Sequence, residues 1–189
     1  MHEPEVETLM IVAFLMAISA VLLILFLSII QTVSKTFQYW PPPGARSWQS
    51  WTLRWLFRIM VLGLLIVSAL DFEAPTSPLP RIYIGVPLWI LGFGAAYCLS
   101  FFLGWKNAWG SDGGLITDGA FRWSRNPIYI VSLVGMIGWG LVVHSIYVWA
   151  LLVLWACFYI VAAYVEEPWL EATYGNRYSE YKRRVPRFI

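Results

Sequence analysis

Residues 125–167 read RNPIYIVSLVGMIGWGLVVHSIYVWALLVLWACFYIVAAYVEE. Two apolar runs, 128–143 and 145–165, flank a turn near His144-Ser145. Arg125, Asn126, Pro127 and Tyr129 stand at one mouth of this hairpin, Glu166 and Glu167 at the other. Counting from the turn, ~18 residues back reaches Pro127 and ~21 forward reaches Glu166, which at 1.5 Å rise gives ~27 and ~31 Å. Both polar groups therefore lie at nearly one depth. Ionisable residues at membrane depth are costly and usually functional, so the pairing predicts one site. Gly135, Gly138 and Gly140 in the first helix and Ala156, Ala162 and Ala163 in the second suit close helix packing. His144 reads as a solvated turn histidine.

The rest of the chain has the same apolar character. Of its 189 residues, 59% are hydrophobic and 13% charged, about half the charged fraction of a soluble domain. The expected fold is an all-α membrane protein with about five spans: 9–31, 53–70, 82–103, 128–143 and 145–165. Each is near the ~20 residues that cross a ~30 Å hydrocarbon core, the fourth being the shortest. Twelve of the 13 Lys and Arg fall in the first and third loops and the tail, leaving only Arg81 on the other side. The positive-inside rule then sets the N-terminus outside and the C-terminus in the cytoplasm; the acidic start (Glu3, Glu5, Glu7) agrees. The first span lacks a basic leader and a small-residue cleavage site, and is too long for a signal peptide, so it reads as a retained anchor. The short chain and minimal loops point to the inner membrane of a bacterium or archaeon rather than the endoplasmic reticulum.

The net charge of +2 gives no case for nucleic acid, because topology accounts for the basic residues. Lys182-Arg183-Arg184 is a candidate contact for anionic lipid headgroups, at ~1 kcal/mol per charge. Cys98 and Cys157 fall inside spans without metal-ligand spacing, and read as small core residues rather than a metal site.

The chain reads as one domain, with residues 1–103 a scaffold of three helices and 104–189 a loop, two helices and a tail. Pro41-Pro42-Pro43-Gly44 ends any helix after the first span. Trp40, Trp48, Trp51 and Trp55 cluster there with Arg46, Arg54 and Arg58, the composition of a headgroup-level anchor; the functional alternative is a lid or substrate entrance. Pro75, Pro78 and Pro80 mark a plain outer connection. Between Gly104 and Asn126 the chain is glycine-rich, Gly110-Ser111-Asp112-Gly113-Gly114, which permits positive φ and close backbone approach to a ligand.

Three segments together carry a resemblance: Gly119 to Tyr129 (GAFRWSRNPIY), Glu166 to Leu170 (EEPWL) and Tyr174 to Pro186 (YGNRYSEYKRRVP). They are similar to the integral-membrane methyltransferases of the isoprenylcysteine carboxyl methyltransferase and phospholipid methyltransferase type. That pattern runs Gly-x-Tyr-x-x-x-Arg-His-Pro-x-Tyr, then Glu-Glu-x-x-Leu, then Phe-Gly-x-x-Tyr-x-x-Tyr and Val-Pro. The resemblance implies S-adenosylmethionine as cofactor, in a pocket at the cytoplasmic end of the last two helices. Its contacts would be Gly113, Gly114, Leu115, Ile116, Phe121, Asn126, Pro127, Ile128, Tyr129 and Glu166. Glu166 and Asn126 suit ribose hydroxyls or an amino group, and a sulfonium favours aromatic faces. Arg125, Tyr129 and Glu167 are the candidate catalytic side chains, with Tyr129 or Glu167 nearest to take a proton. The implied partner is a hydrophobic small molecule, lipid or prenylated substrate, entering from the surrounding membrane lipids.

Two positions depart from the pattern. Asn126 stands where the family has His, so no titrating group is present there. Ala162 stands where the carboxyl methyltransferases place an Arg four residues before the first Glu, which makes a prenylcysteine carboxylate a poorer substrate than a lipid amine or thiol. Two other readings compete: an NADPH-dependent membrane reductase, from the Arg-x-Pro-x-Tyr element shared with sterol reductases, and a non-enzymatic scaffold or small transporter.

Overall fold

The computed structural model describes residues 4–34, 36–72, 80–110 and 113–189. The expectations attached to Glu3, Pro75, Pro78, Ser111 and Asp112 lie outside these residues. The elements are α1 (Pro4–Val33), α2 (Trp48–Leu70), α3 (Pro80–Leu103), the short α4 (Trp105–Ala108), a 3-10 turn (Gly119–Arg122), α5 (Pro127–Val143), α6 (Ile146–Tyr174) and α7 (Asn176–Arg184). Among the described residues every regular element is helical. Four helices, α1, α2, α3 and α6, are long and apolar enough to cross a membrane; α5, at 17 residues, is apolar but shorter. With their large outward-facing apolar side chains (Leu15, Phe26, Leu62 and Ile90 among them), they make an integral membrane protein.

Local chemistry sets the boundaries. Ser47 caps α2 by accepting the Ser50 N–H at 3.2 Å, and Ser145 caps α6 by accepting the Val148 N–H at 3.2 Å. Each satisfies an orphan donor of a first turn. Pro127 opens α5, where its missing N–H costs nothing. Between α5 and α6, His144 takes a left-handed conformation, φ 59°, and lies exposed.

α6 is the central helix, touching α1, α2, α5 and α7, while α3 packs chiefly against α5 and α1 against α2. α1, α2 and α6 share one core in which Ala17, Val21 and Ile24 meet Met60, Leu64, Leu151 and Leu152. The α3–α5 pair joins it through an aromatic chain: Phe93 to Trp139 (6.0 Å), Phe93 to Trp155 (6.1 Å) and Phe57 to Trp155 (5.4 Å) between centroids. The Trp139 indole N–H also donates to Ser68 Oγ at 2.9 Å, tying α5 to α2.

Three expectations change. The glycines of α5 mostly serve α3 rather than α6. A Cβ at Gly92 would strike the Gly135 backbone, one at Gly138 the Trp89 backbone, and only Gly140 faces α6, at Trp149. The hairpin partners in sequence are thus not the closest partners in space. Both cysteines are exposed on the helix exteriors rather than buried in the core. Finally, α6 does not stop at the Glu pair but runs on to Tyr174 with Pro168 inside it. Of the aromatic anchor cluster, Trp48, Trp51 and Trp55 are exposed, with Trp51 stacked on Trp55 and the Arg58 guanidinium 5.1 Å from the Trp55 ring. Trp40 instead turns inward and is buried.

Candidate functional site

Because α6 is unbroken through residues 166 and 167, successive side chains point about 100° apart. The two glutamates therefore take separate environments. The Glu167 side chain is 6% exposed and meets the tail. Arg187 donates to it twice, Nε to Oε1 and Nη2 to Oε2, both at 2.7 Å. Arg125 Nη1 lies 2.8 Å from Oε1 and Lys182 Nζ 3.4 Å from Oε2. The forked geometry is the strong form of an arginine–carboxylate pair. The Arg187 guanidinium also lies 3.8 Å from the centre of the Tyr164 ring.

The main chain completes this joint. Arg125 N–H donates to the Pro186 carbonyl at 2.9 Å. Ser124 Oγ (3.2 Å) and Asn126 Nδ2 (3.0 Å) both donate to the Arg187 carbonyl. Tyr181 OH donates to the Phe121 carbonyl at 2.7 Å. Tyr178, Tyr181 and Val185 form a small second core with Leu115, Leu170 and Tyr174. The tail is therefore fastened across the Phe121–Asn126 turn. Burial, with the Glu167 charge adding to it, pushes the Tyr178 phenol up to about 12. The hydrogen bond to Glu171 raises the Lys182 ammonium above its ordinary value.

Glu166 faces the other way, into a cavity of about 270 Å³. The Tyr129 hydroxyl stands 3.5 Å from Glu166 Oε2, and the Tyr129 ring stacks on Tyr159 at 4.5 Å between centroids. Among the described residues, the ion pairs of this cluster run to Glu167 and Glu171. Asn107 holds the glycine-rich loop that forms another wall: its Nδ2 donates to the carbonyls of Leu103 (3.1 Å) and Gly114 (2.9 Å), and its Oδ1 accepts the Gly113 N–H at 2.7 Å. Gly114 has φ 97°, a conformation that glycine alone adopts freely.

Of the residues singled out in the sequence, Gly114, Leu115, Ile116, Phe121, Arg125, Asn126, Pro127, Ile128, Tyr129, Glu166 and Glu167 all line this cavity. Gly113 does not; it sits against Asn107. Asn107 and the aromatic wall of Phe57 and the partly exposed Trp105 and Trp109 carry no expectation from the sequence, and Trp40 only that of an anchor cluster or entrance. Asn107 precedes the glycine run, which is a signal; Trp40 lies far away in sequence, and only the entrance alternative for its cluster pointed to a site.

The fold and this cavity define an all-α integral membrane protein with a polar-and-aromatic chamber at one end of its helices. The chain belongs to the phospholipid methyltransferase family, whose pattern matches residues 81–177, the stretch that holds Arg125, Tyr129, Glu166 and Glu167. It is also 31% identical over 97 residues to the cobalt-zinc-cadmium resistance protein CzcN of Cupriavidus metallidurans; the match covers 51% of this chain and 42% of CzcN. No solved structure matches.

Proposed function

We propose that this protein is an S-adenosylmethionine-dependent membrane methyltransferase acting on a hydrophobic or amphipathic acceptor. The observation that carries the reading is the meeting, in one cavity, of the Tyr129–Glu166 pair and an aromatic wall, in a chain of the phospholipid methyltransferase family. The residues present fit the cofactor. Glu166 is a carboxylate on the wall, outside the ion pairs of the described residues, suited to hydroxyl or ammonium donors. Leu115, Ile116 and Phe121 offer an apolar slot for a base, and the stacked Tyr129 and Tyr159 offer π faces to a cation.

When bound, S-adenosylmethionine supplies an electrophilic methyl group on a sulfonium. The protein's part is alignment and water exclusion. Phe57, Trp105 and Trp109 surround the apolar half of the cavity, where a lipid-like acceptor is held. Arg125 and Arg187 are committed to Glu167, and Ala162 is fully buried. The wall thus favours an acceptor without a carboxylate, such as an amine or thiol. Glu167 anchors the tail instead of taking a proton. Tyr129 orients the acceptor, and Glu166, 3.5 Å from the Tyr129 hydroxyl, holds the cofactor. The charge bias of the loops supports a cytoplasmic position for this end of the helices.

S-adenosylhomocysteine binding to the purified protein in detergent, by calorimetry, tests the reading. Wild type binds, and Glu166→Ala weakens binding by at least about tenfold, as loss of a charged hydrogen-bond partner predicts, with its melting temperature kept. Binding of NADPH in place of S-adenosylhomocysteine would replace this reading by the reductase one.

A further inference from the structure

The cavity is small for the work the proposed reaction gives it. Its volume of about 270 Å³ lies just below the ~300–1,000 Å³ that enclose one drug-sized ligand, yet a methyl donor and an acceptor must meet inside. The bulk of an amphipathic acceptor therefore lies beyond the walls, and the wall it crosses has to be apolar and open to the bilayer. The tail closes one side, where Arg125 and Arg187 are fastened to Glu167, and Phe121, Phe158, Tyr178 and Tyr181 are buried. Trp105 and Trp109 differ: they line the cavity and are 48% and 42% exposed.

These two indoles mark a window in the bundle. Among the described residues, α2 packs on α1 and α6, α3 packs on α5 and α4, and no packed seam joins α2 to α3 directly. Leu53 and Phe57 of α2 and Ser100 and Leu103 of α3 nevertheless line the same cavity, so it reaches the gap between these helices. One edge of the gap is spanned by α4. Trp105 stands edge-on to Tyr97 of α3, 5.7 Å between centroids, and Trp109 edge-on to Phe57 of α2, at 6.3 Å. The other edge is a row of rings across α6, from Phe57 to Trp155 at 5.4 Å and from Trp155 to Phe93 of α3 at 6.1 Å. Phe93 stands seven residues before Ser100, ~10 Å along α3, so the two edges lie at different depths. Phe57 is the corner that both share.

We propose that this window takes the apolar chain of the acceptor, and that Phe57 sets which chains fit. The acceptor is then a single-chain amphiphile. Its amine or thiol sits near Tyr129 and Glu166, and its chain leaves between Leu53 and Leu103 into the hydrocarbon. A window framed by rings in mutual contact admits a straight chain and resists a branched one, because extra bulk against packed rings forces them off their rotamers. The inference rests on the reading of the apolar half of the cavity as the acceptor site. It adds to that reading a specificity-determining side chain from α2, a helix outside the residues that match the family.

The test is photolabelling of the full chain in phosphatidylcholine nanodiscs. The probes are dodecylamine and dodecanethiol, each carrying a diazirine at mid-chain. The competitors are the unlabelled straight-chain compound and its branched isomer, the 2-butyloctyl amine or thiol, which has the same carbon count. At least one probe is expected to label the peptides that hold Leu53, Phe57, Ser100 and Leu103. The straight competitor should displace it at about tenfold lower concentration than the branched one, as overpacking predicts. Phe57→Ala should bring the two competitors within about twofold of each other. Phe101→Ala, on the outward face of α3 and 70% exposed, should keep the tenfold ratio. Labelling that no competitor displaces, labelling spread over the outward faces, wild type without a preference, or a preference that survives Phe57→Ala each overturns the inference. Calorimetry with S-adenosylhomocysteine on the same preparation separates the two failures: binding without displaceable labelling removes this inference alone, and absence of both removes the cofactor reading as well. Should Phe57→Ala fail to fold, Phe57→Leu, which removes the ring and keeps an aliphatic side chain, decides in its place by the same ratio.

Discussion

At the scale of single residues, neighbours in sequence divide the work. Glu167 stands between Arg125 and Arg187 with its side chain 6% exposed, so removing it leaves two guanidinium groups without their acceptor. Truncating one partner of a buried pair costs ~3–5 kcal/mol. The partial exposure of Arg187 and Lys182 places Glu167→Ala near the lower end, about 3 kcal/mol. Thermal unfolding in detergent should show that loss for Glu167→Ala and little change for Glu166→Ala, which costs ligand binding instead. Equal melting temperatures for both variants would contradict this division. Alkaline pH acts on the same joint. Tyr178 is raised from 10.0 to about 12 by burial, and Lys182 is raised above 10.5 by its bond to Glu171. A folded value above the unfolded one means stability that is complete below the ordinary value and lost as pH climbs towards the folded value. Stability should therefore fall between about pH 10 and 12, and Tyr178→Phe should lessen that fall.

Helices and loops show what the sequence carried and what it hid. The apolar runs marked the long helices to within about five residues, the C-terminal end of α6 excepted, because twenty consecutive apolar residues leave few alternatives. The Glu pair hid the true length of α6, since two acids after an apolar run look like a membrane exit. Tail contacts at Arg187 and Lys182 let the helix carry the acids onward to Tyr174. Arg125, Asn126 and Glu166 were legible as one cluster because rise per residue alone equates their depths. Trp40 was not, because only tertiary contacts through Gln31 turn it away from the other tryptophans of its loop. The glycine stripe of α5 was legible as a packing face but not its partner: a small residue announces close approach without naming what approaches. A test follows directly. Gly138→Val forces a side chain into the Trp89 backbone, whereas Gly94 has open space around it. Overpacking costs ~1–3 kcal/mol, and a backbone neighbour cannot swing aside, so Gly138→Val should lower the melting temperature clearly. Gly94→Ala should leave the stability unchanged or raise it by up to about 1 kcal/mol, since alanine restricts the unfolded chain. Similar losses in both would mean that α3 and α5 do not meet along this face.

For the whole molecule, the cavity end and the basic end coincide. Arg122, Arg125, Lys182, Arg183, Arg184 and Arg187 all belong to the loop and tail that enclose the site. Part of that charge is consumed internally by Glu167 and Glu171. What remains, together with Arg46, Arg54 and Arg58 beside the exposed Trp48, Trp51 and Trp55, still outweighs the opposite face. Orientation responds to Lys and Arg near the span ends, with acids counting for little, so internal pairing does not weaken the bias. The C-terminus and the cavity mouth should therefore face the cytoplasm, where the proposed cofactor is found, with the proposed acceptor arriving through the bilayer. A reporter fused after Ile189 measures this in a bacterial host: a fluorescent protein should glow and alkaline phosphatase should stay inactive. The opposite result would turn the cavity away from the cofactor supply, and a cytoplasmic methyl donor would no longer fit the site.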